Sequence, residues 1–208
     1  MIIEQLALGP IQANCYIIGC PKTQETAVID PGDEGDKILM LLAKNSLKVT
    51  KIINTHGHFD HVGANRYIKE ATGADLLIHR KDASMLSQLS TAAAAWGMRA
   101  ENSPAPDKEL EDGDTISFGE ITLNVIHTPG HTHGGISLYG ENCVFVGDTL
   151  FAGSIGRTDL PGGDYETIIS SIQQKLFTLP EETKVYPGHM GTTTIGMEKR
   201  NNPFCRII

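Results

Sequence analysis

The stretch Asn54-Thr55-His56-Gly57-His58-Phe59-Asp60-His61-Val62-Gly63 carries four metal-capable side chains within six residues. On a continuous helix His56 and His58 would point to nearly opposite sides. A loop leaving a strand turns both inward, and Gly57 lets the backbone fold tightly between them. Asp60 and His61 come one step later, so the spacing suits two adjacent metals better than one. Three more candidates each follow an apolar strand: His131 in Thr128-Pro129-Gly130-His131, Asp148 in Val146-Gly147-Asp148-Thr149, and His189 in Tyr186-Pro187-Gly188-His189. Singly, each is ordinary loop polarity. Together they make five His and two Asp, enough for two sites of nitrogen and oxygen ligands. Zinc, iron and manganese prefer such donors over the thiolates of soft-metal sites. Two cations ~3.5–4 Å apart share a water and lower its pKa toward ~7, so hydroxide is present at neutral pH. Hydroxide supplied in this way would attack a carbonyl with Asp60 placed to accept the proton from water as it forms, and no Ser or Cys nucleophile would be needed.

These residues need strand ends to hold them. Ile2 to Leu8, Asn14 to Ile18, Thr26 to Asp30 and Lys51 to Asn54 read as strands, the last ending at the histidine stretch. A helix is expected from Asp33, with Ile38, Leu41 and Leu42 as its buried stripe, and another over Ala64 to Thr72. Asp75 to Ile78 is the next strand. Lys81 to Leu89 and Thr91 to Arg99 are expected to be short helices, and Asn102 to Pro106 a loop. Strands return at Thr115 to Phe118, Ile121 to Ile126, Gly135 to Tyr139 and Cys143 to Val146. Tyr165 to Phe177 reads as an amphipathic helix and Lys184 to Tyr186 as a last core strand, before a short helix and tail. Strands and helices in two similar halves suit two sheets packed face to face with helices outside, in one domain over 1–208.

The 17 Lys+Arg against 25 Asp+Glu give a formal net charge of −8, with no basic run. Nucleic acid is therefore not expected as a partner. The start has no leader pattern and no stretch approaches a membrane span, so neither secretion nor a membrane is expected. The 4 cysteines are scattered without a CxxC pair and read as inert thiols of a reducing, cytoplasmic compartment. A monomer or small homo-oligomer is expected. Trp96 and Met98 read as core or pocket wall, and His79 and His127 as structural or exposed.

With Asp30-Pro31-Gly32, the Thr55 to His61 stretch, His131, Asp148 and His189 in this order, the chain resembles the metallo-β-lactamase superfamily. Within it the chain is similar to the glyoxalase II-like hydrolases. The resemblance implies an α/β fold, an αββα sandwich of two mixed sheets flanked by helices. It also implies that His56, His58 and His131 hold one metal, that Asp60, His61 and His189 hold a second, and that Asp148 bridges them. Asp30 resembles the family's buried acid that braces the metal loops. His133, two residues past His131, is a candidate for orienting a ligand. The implied activity is hydrolysis of thioesters resembling 2-hydroxyacylglutathione, with two divalent ions, zinc first and iron or manganese as alternatives.

Gly153-Ser154-Ile155-Gly156-Arg157-Thr158-Asp159 and Asn202-Pro203-Phe204 also look like glyoxalase II and its short bacterial relatives. Persulfide dioxygenases share a similar Gly-Arg-Thr-Asp segment, so a mononuclear-iron dioxygenase using His56, His131 and Asp148 is the alternative. A β-lactamase role is disfavoured, because several such branches carry Cys or Ser where Asp148 stands. A non-catalytic metal-binding role is disfavoured because structural zinc sites are closed and Cys-rich. One departure concerns the thiol carrier. Full-length glyoxalase II continues into a helical region that grips glutathione, whereas this chain stops at Ile208 and has Gly191 where those enzymes place a tyrosine. Arg157 is a candidate for binding a substrate carboxylate, its alternative being a salt bridge to Asp159 within the loop.

Overall fold

The computed structural model describes residues 1–207. Alternation of large apolar residues makes two sheets, each with one face turned to the other. The first sheet has six strands in the order β1 (Ile2–Leu8), β2 (Ala13–Gly19), β3 (Glu25–Ile29), β4 (Lys48–Ile53), β5 (Asp75–His79) and β6 (Lys108–Leu110). Its first three strands are antiparallel, and β3 to β6 run parallel. Two of the parallel crossovers carry the helices α1 (Gly35–Lys44) and α3 (Asn65–Thr72), the second preceded by the single turn α2 (Phe59–Val62). The third passes through a 3₁₀ turn (Ala83–Gln88) and α4 (Leu89–Ala94).

The second sheet also has six strands, ordered β14 (Thr193–Thr194), β13 (Lys184–Pro187), β10 (Cys143–Gly147), β9 (Ile136–Gly140), β8 (Ile121–His127) and β7 (Thr115–Phe118). Only β10 and β13 run parallel there, joined through the hairpin β11 (Leu150–Phe151) and β12 (Ser154–Ile155) and the helix α5 (Tyr165–Gln174). The Asp164 side chain caps α5 by accepting from the Thr167 N–H at 2.8 Å. The last helix, α6, spans Ile195–Asn201.

Three buried layers follow from the period of two. Ile29 and Ile53 of the first sheet meet Leu123 and Phe145 of the second between the sheets. Val28 and Ile52 point the other way, against Ile38 of α1 and Ile68 of α3. Val144 and Val146 likewise face Ile168 and Ile172 of α5. Each such side chain contributes ~1.5–3 kcal/mol of burial, so the register of both sheets is strongly fixed. The fold is thus the expected αββα sandwich of two mixed sheets.

Several local expectations fail for identifiable reasons. The first helix begins at Gly35 rather than Asp33, because Glu34 is left-handed at φ 48° and cannot be helical. Ala64 is not helical, lying between two separate helices. The expected helix over Thr91 to Arg99 ends at Ala94, and Trp96 sits in the turn that follows, half exposed at 52%, as pocket wall, one of the two placements expected for it. That Ala-rich run has no apolar stripe to bury and so nothing to prolong it. The helix expected to reach Phe177 stops at Gln174 and continues as a 3₁₀ turn. The strands β6, β11, β12 and β14 have two or three residues each, too few to show a period.

Candidate metal centre

The candidate residues leave the carboxyl ends of the parallel strands, where open sheets present their ligand sites. Asp30 follows β3, the histidine stretch follows β4, Asp148 follows β10 and His189 follows β13. His131 lies in the turn between β8 and β9. Residues far apart in the chain therefore meet at one edge of the sandwich. His56, His58 and His131 have ligand atoms within 4.8 Å of one another, as do Asp60, His61 and His189. Asp148 lies between the two groups. Its Oδ1 is 3.4 Å from His61 Nε2, while its Oδ2 is 3.6 Å from His131 Nε2 and 3.5 Å from His189 Nε2.

Hydrogen bonds at the far side of each ring decide which nitrogen faces inward. Thr55 Oγ1 donates to Asp30 Oδ2 at 2.6 Å, so its proton is spent. The contact of 3.1 Å from His56 Nδ1 then makes the ring the donor. His61 Nδ1 donates to Asp30 Oδ2 at 3.1 Å, and His131 Nδ1 to the carbonyl of Arg157 at 2.8 Å. All three rings thus aim Nε2 at the shared space. Outer partners of this kind are what orient metal-bound imidazoles. Among the described residues, His56 Nε2 and Asp148 Oδ1 are buried with no hydrogen-bond partner. His58 Nδ1 and His131 Nε2 stand 2.9 Å apart, and His61 Nε2 and His189 Nε2 3.3 Å. Lone pairs held this close need a proton or a cation between them. The donor set fits divalent metal ions. A third triple, Asp30, His56 and His61, is equally tight. Its carboxylate is consumed by Thr55 and His61, so it is a brace.

Charge follows the same geometry. Burial, then the neighbouring imidazoles His131 and His61, lowers His58 to about 4, and burial drives His56 well down too. Both rings are neutral at pH 7 and offer lone pairs. Burial opposes the charge on His61, but Asp148, Asp60 and Asp30 outweigh it and raise that ring to about 10. Burial likewise opposes the charge on Asp60, and His61 and His189 outweigh it, lowering its carboxyl.

The backbone is shaped to allow this convergence. A Cβ at Gly188 would fall on Asp148 Oδ1, and one at Gly32 on the carbonyl oxygen of Asp60. The sequence did not reveal two further supports. Asp82, 1% exposed, accepts from the Gly57 N–H at 3.1 Å, the Thr132 hydroxyl at 2.7 Å and the Gly134 N–H at 2.6 Å. It ties the loop of His56 and His58 to that of His131. Its signal was positional: an acid just past a strand, β5, as Asp30 stands past β3. Asn14 donates to the carbonyls of Pro187 at 2.9 Å and Met190 at 3.0 Å, and Tyr16 Oη donates to Pro187 at 2.7 Å. Together they clamp the turn that carries His189.

A cleft of about 960 Å³ opens over these groups, walled by Ile11, Phe59, Met85, Trp96, Leu160 and Met190. Arg157 lines it, but its guanidinium is paired with Asp159 at 2.7 and 2.8 Å and lies 5.4 Å from the Trp96 ring centroid. His133 is exposed at the same rim, where its carbonyl accepts from His127 Nε2 at 2.9 Å. Its ring has no hydrogen bond to the histidine groups among the described residues. His79 and His127 stack on each other with centroids 4.3 Å apart, away from the centre.

A fold of this topology with a His/Asp centre at its strand ends defines a class. The family model for the metallo-beta-lactamase superfamily matches residues 8–189, and the chain belongs to that superfamily. Among its relatives, hydroxyacylglutathione hydrolase GloC of Haemophilus influenzae is 36% identical over 208 residues, 98% of this chain and 98% of that one. Among solved structures, BLEG-1 B3 metallo-beta-lactamase superposes with a TM-score of 0.92 at 36% identity, covering 98% of this chain and 99% of that one. TTHA1623, in a di-iron-bound form, gives 0.89 at 40% identity, covering 97% and 99%. ETHE1 of Myxococcus xanthus gives 0.84 at 33% identity, covering 99% and 84%. No helix among the described residues is long and apolar enough to cross a membrane.

Proposed function

We propose that this protein is a dinuclear-metal hydrolase of thioesters resembling 2-hydroxyacylglutathione. The observation that carries the reading is Asp148, whose two oxygens face both histidine groups while one of them is buried without a partner. In this reading His56, His58 and His131 hold one ion, Asp60, His61 and His189 the other, and Asp148 touches both. Bound there, divalent cations supply hydroxide at neutral pH and positive charge for the developing oxyanion. Asp60 lines the cleft beside His61 and His189 and, besides holding an ion with them, would accept the proton that water gives up as the hydroxide forms. Asp30 and Asp82 hold the rings in place, and the apolar walls exclude bulk water. A thiolate leaves without a strong acid, so thioesters need no further proton donor. The GloC relative supports this substrate class.

A second reading, an iron-dependent persulfide dioxygenase, draws on the likeness to ETHE1 and to a protein solved with two irons. The complete second group of Asp60, His61 and His189 favours the hydrolase, since one iron would leave it unused. Hydrolysis of the β-lactam ring stands third, on the likeness to BLEG-1. Zinc is the proposed metal, iron or manganese its alternatives. The buried thiols Cys15, Cys20, Cys143 and Cys205 support a cytoplasmic setting. The deciding experiment is metal analysis beside thioester hydrolysis, oxygen uptake with persulfide, and β-lactam hydrolysis. Two metals per chain with thioester turnover is the expected result. Saturation at one iron with oxygen consumed would replace it by the dioxygenase.

A further inference from the structure

The walls of the cleft are unlike its floor. Ile11, Trp96 and Met190 stand among the chain's exposed large apolar residues, at 37%, 52% and 60%, and all three surround this one opening. Met85 and Leu160 continue the apolar surface inward. Exposed apolar surface concentrated at the mouth of a polar centre marks a ligand-contacting wall. The wall contains one lysine and one arginine, Lys81 and Arg157. Arg157 is committed at both ends: its guanidinium forks onto Asp159 and its face lies over Trp96. Lys81 has no carboxylate partner among the described residues. A carrier with two carboxylates, such as a glutathione-like tripeptide, would find a single uncommitted lysine or arginine. An apolar acyl chain would find a continuous surface.

We propose that this cleft selects its thioester by an apolar acyl group laid against Trp96, with Arg157 positioning that indole rather than binding a substrate carboxylate. The proposal rests on the thioesterase reading and narrows its substrate class, keeping the thioester bond but replacing the 2-hydroxyacyl group and the glutathione-like carrier by an apolar acyl group on a smaller thiol. Two features make the assignment specific. Trp96 sits in a turn after α4 whose backbone is held by the Trp96 and Met98 N–H groups donating to the Ala93 carbonyl, while the indole itself is half exposed and needs a side-chain contact to fix its orientation. The cation–π contact with Arg157 fixes it, and Asp159 fixes Arg157. The methionines Met85 and Met190 are flexible thioethers that adapt to chains of different length.

Trp96 is the single tryptophan of the chain, so its fluorescence reports the subsite without reference to turnover. Metal-loaded protein is titrated with S-ethyl, S-butyl and S-hexyl thioethers of N-acetylcysteamine, which cannot be hydrolysed. In parallel, kcat/KM is measured for the acetyl, butanoyl and hexanoyl thioesters of the same thiol. The expected result is a saturable fluorescence change whose affinity rises at least ~10-fold from ethyl to hexyl. That is well below the ~200-fold that complete burial of four methylenes would give, since the wall is half open. The kcat/KM series should rise in parallel. Trp96→Ala should flatten it to under ~3-fold, while Trp96→Phe keeps most of it. Arg157→Ala should weaken the longer chains selectively through KM, and Arg157→Lys should restore them in part. Unchanged fluorescence, a flat chain-length series in the wild type, or a full series in Trp96→Ala would each overturn the proposal. Chain-length-dependent binding without hydrolysis of any thioester would instead overturn the thioesterase reading and leave the subsite standing.

Discussion

Replacing Asp82 by asparagine tests whether a residue outside the histidine groups sets their geometry. Its two oxygens serve three donors: Oδ1 takes the Gly134 N–H, and Oδ2 takes the Gly57 N–H and the Thr132 hydroxyl. An amide has one acceptor oxygen, so in the better of its two orientations one backbone N–H faces an NH₂ and is orphaned. A buried donor without a partner costs ~1–3 kcal/mol. Burial already raises the Asp82 carboxyl, so removing the charge recovers part of that loss. The net destabilisation of the metal-free fold is therefore ~1–2 kcal/mol, small enough to leave it folded. The loops carrying His58 and His131 share this carboxylate, so metal affinity should drop ~10–100-fold, the usual cost of losing an outer partner. Denaturation in chelator measures the first quantity, and competition with a chromophoric chelator the second. Asp82→Asn with wild-type metal affinity but the expected loss of stability would make Asp82 a fold brace alone and refute the link.

Three further outcomes follow from the same geometry. Asp148→Ala removes the group that faces both clusters, so metal occupancy and thioester turnover should fall together; a loss under ~100-fold in either means Asp148 does not touch both ions. His61 in the metal-free protein is raised to about 10 from an ordinary 6.5. Its contribution to stability is then complete below pH 6.5 and lost as pH rises toward 10. Metal uptake near pH 8 must expel that proton, seen by calorimetry in buffers of different ionisation enthalpy; no proton release would contradict the assignment. Gly188→Ala places a methyl group on Asp148 Oδ1, and should cost ~1–3 kcal/mol and displace that carboxylate, read as weaker metal binding. Wild-type binding would show that the turn yields.

What could be read from the sequence was what is local. His56, His58, Asp60 and His61 announce themselves because four metal-capable side chains fall in one turn, and the long strands β2, β3 and β10 because their apolar runs are bounded by Gly and Pro. Asp82 and Asn14 escaped because each acts on main-chain groups distant in sequence, Asn14 on Pro187 across 173 residues. Neither has a motif, since the partner is a backbone N–H or C=O that any residue provides. The sequence left Trp96 between core and pocket wall, and it stands in the wall of the cleft; the choice depended on the meeting of its turn with Arg157 from the other half of the chain, which no local pattern shows.

The hydrogen bonds themselves separate the groups that hold the centre from the groups left to bind. Asp30 and Asp82 are buried carboxylates, and each accepts three hydrogen bonds that engage both its oxygens: Asp30 from the Thr55 N–H, the Thr55 hydroxyl and His61, Asp82 from the Gly57 N–H, the Thr132 hydroxyl and the Gly134 N–H. Asp148 is a carboxylate at the same edge with one oxygen buried and unpaired, and His56 presents a buried nitrogen in the same state. A buried polar atom without a partner costs free energy that a fold avoids wherever it can. Two such atoms, aimed into one space beside the rings of His61 and His131, whose outer nitrogens are bonded to Asp30 and to the Arg157 carbonyl, fit the donor set of a metal site. The aspartates at these strand ends differ by what their neighbours leave unsatisfied: Asp30 and Asp82 are engaged at both oxygens, and one oxygen of Asp148 is not.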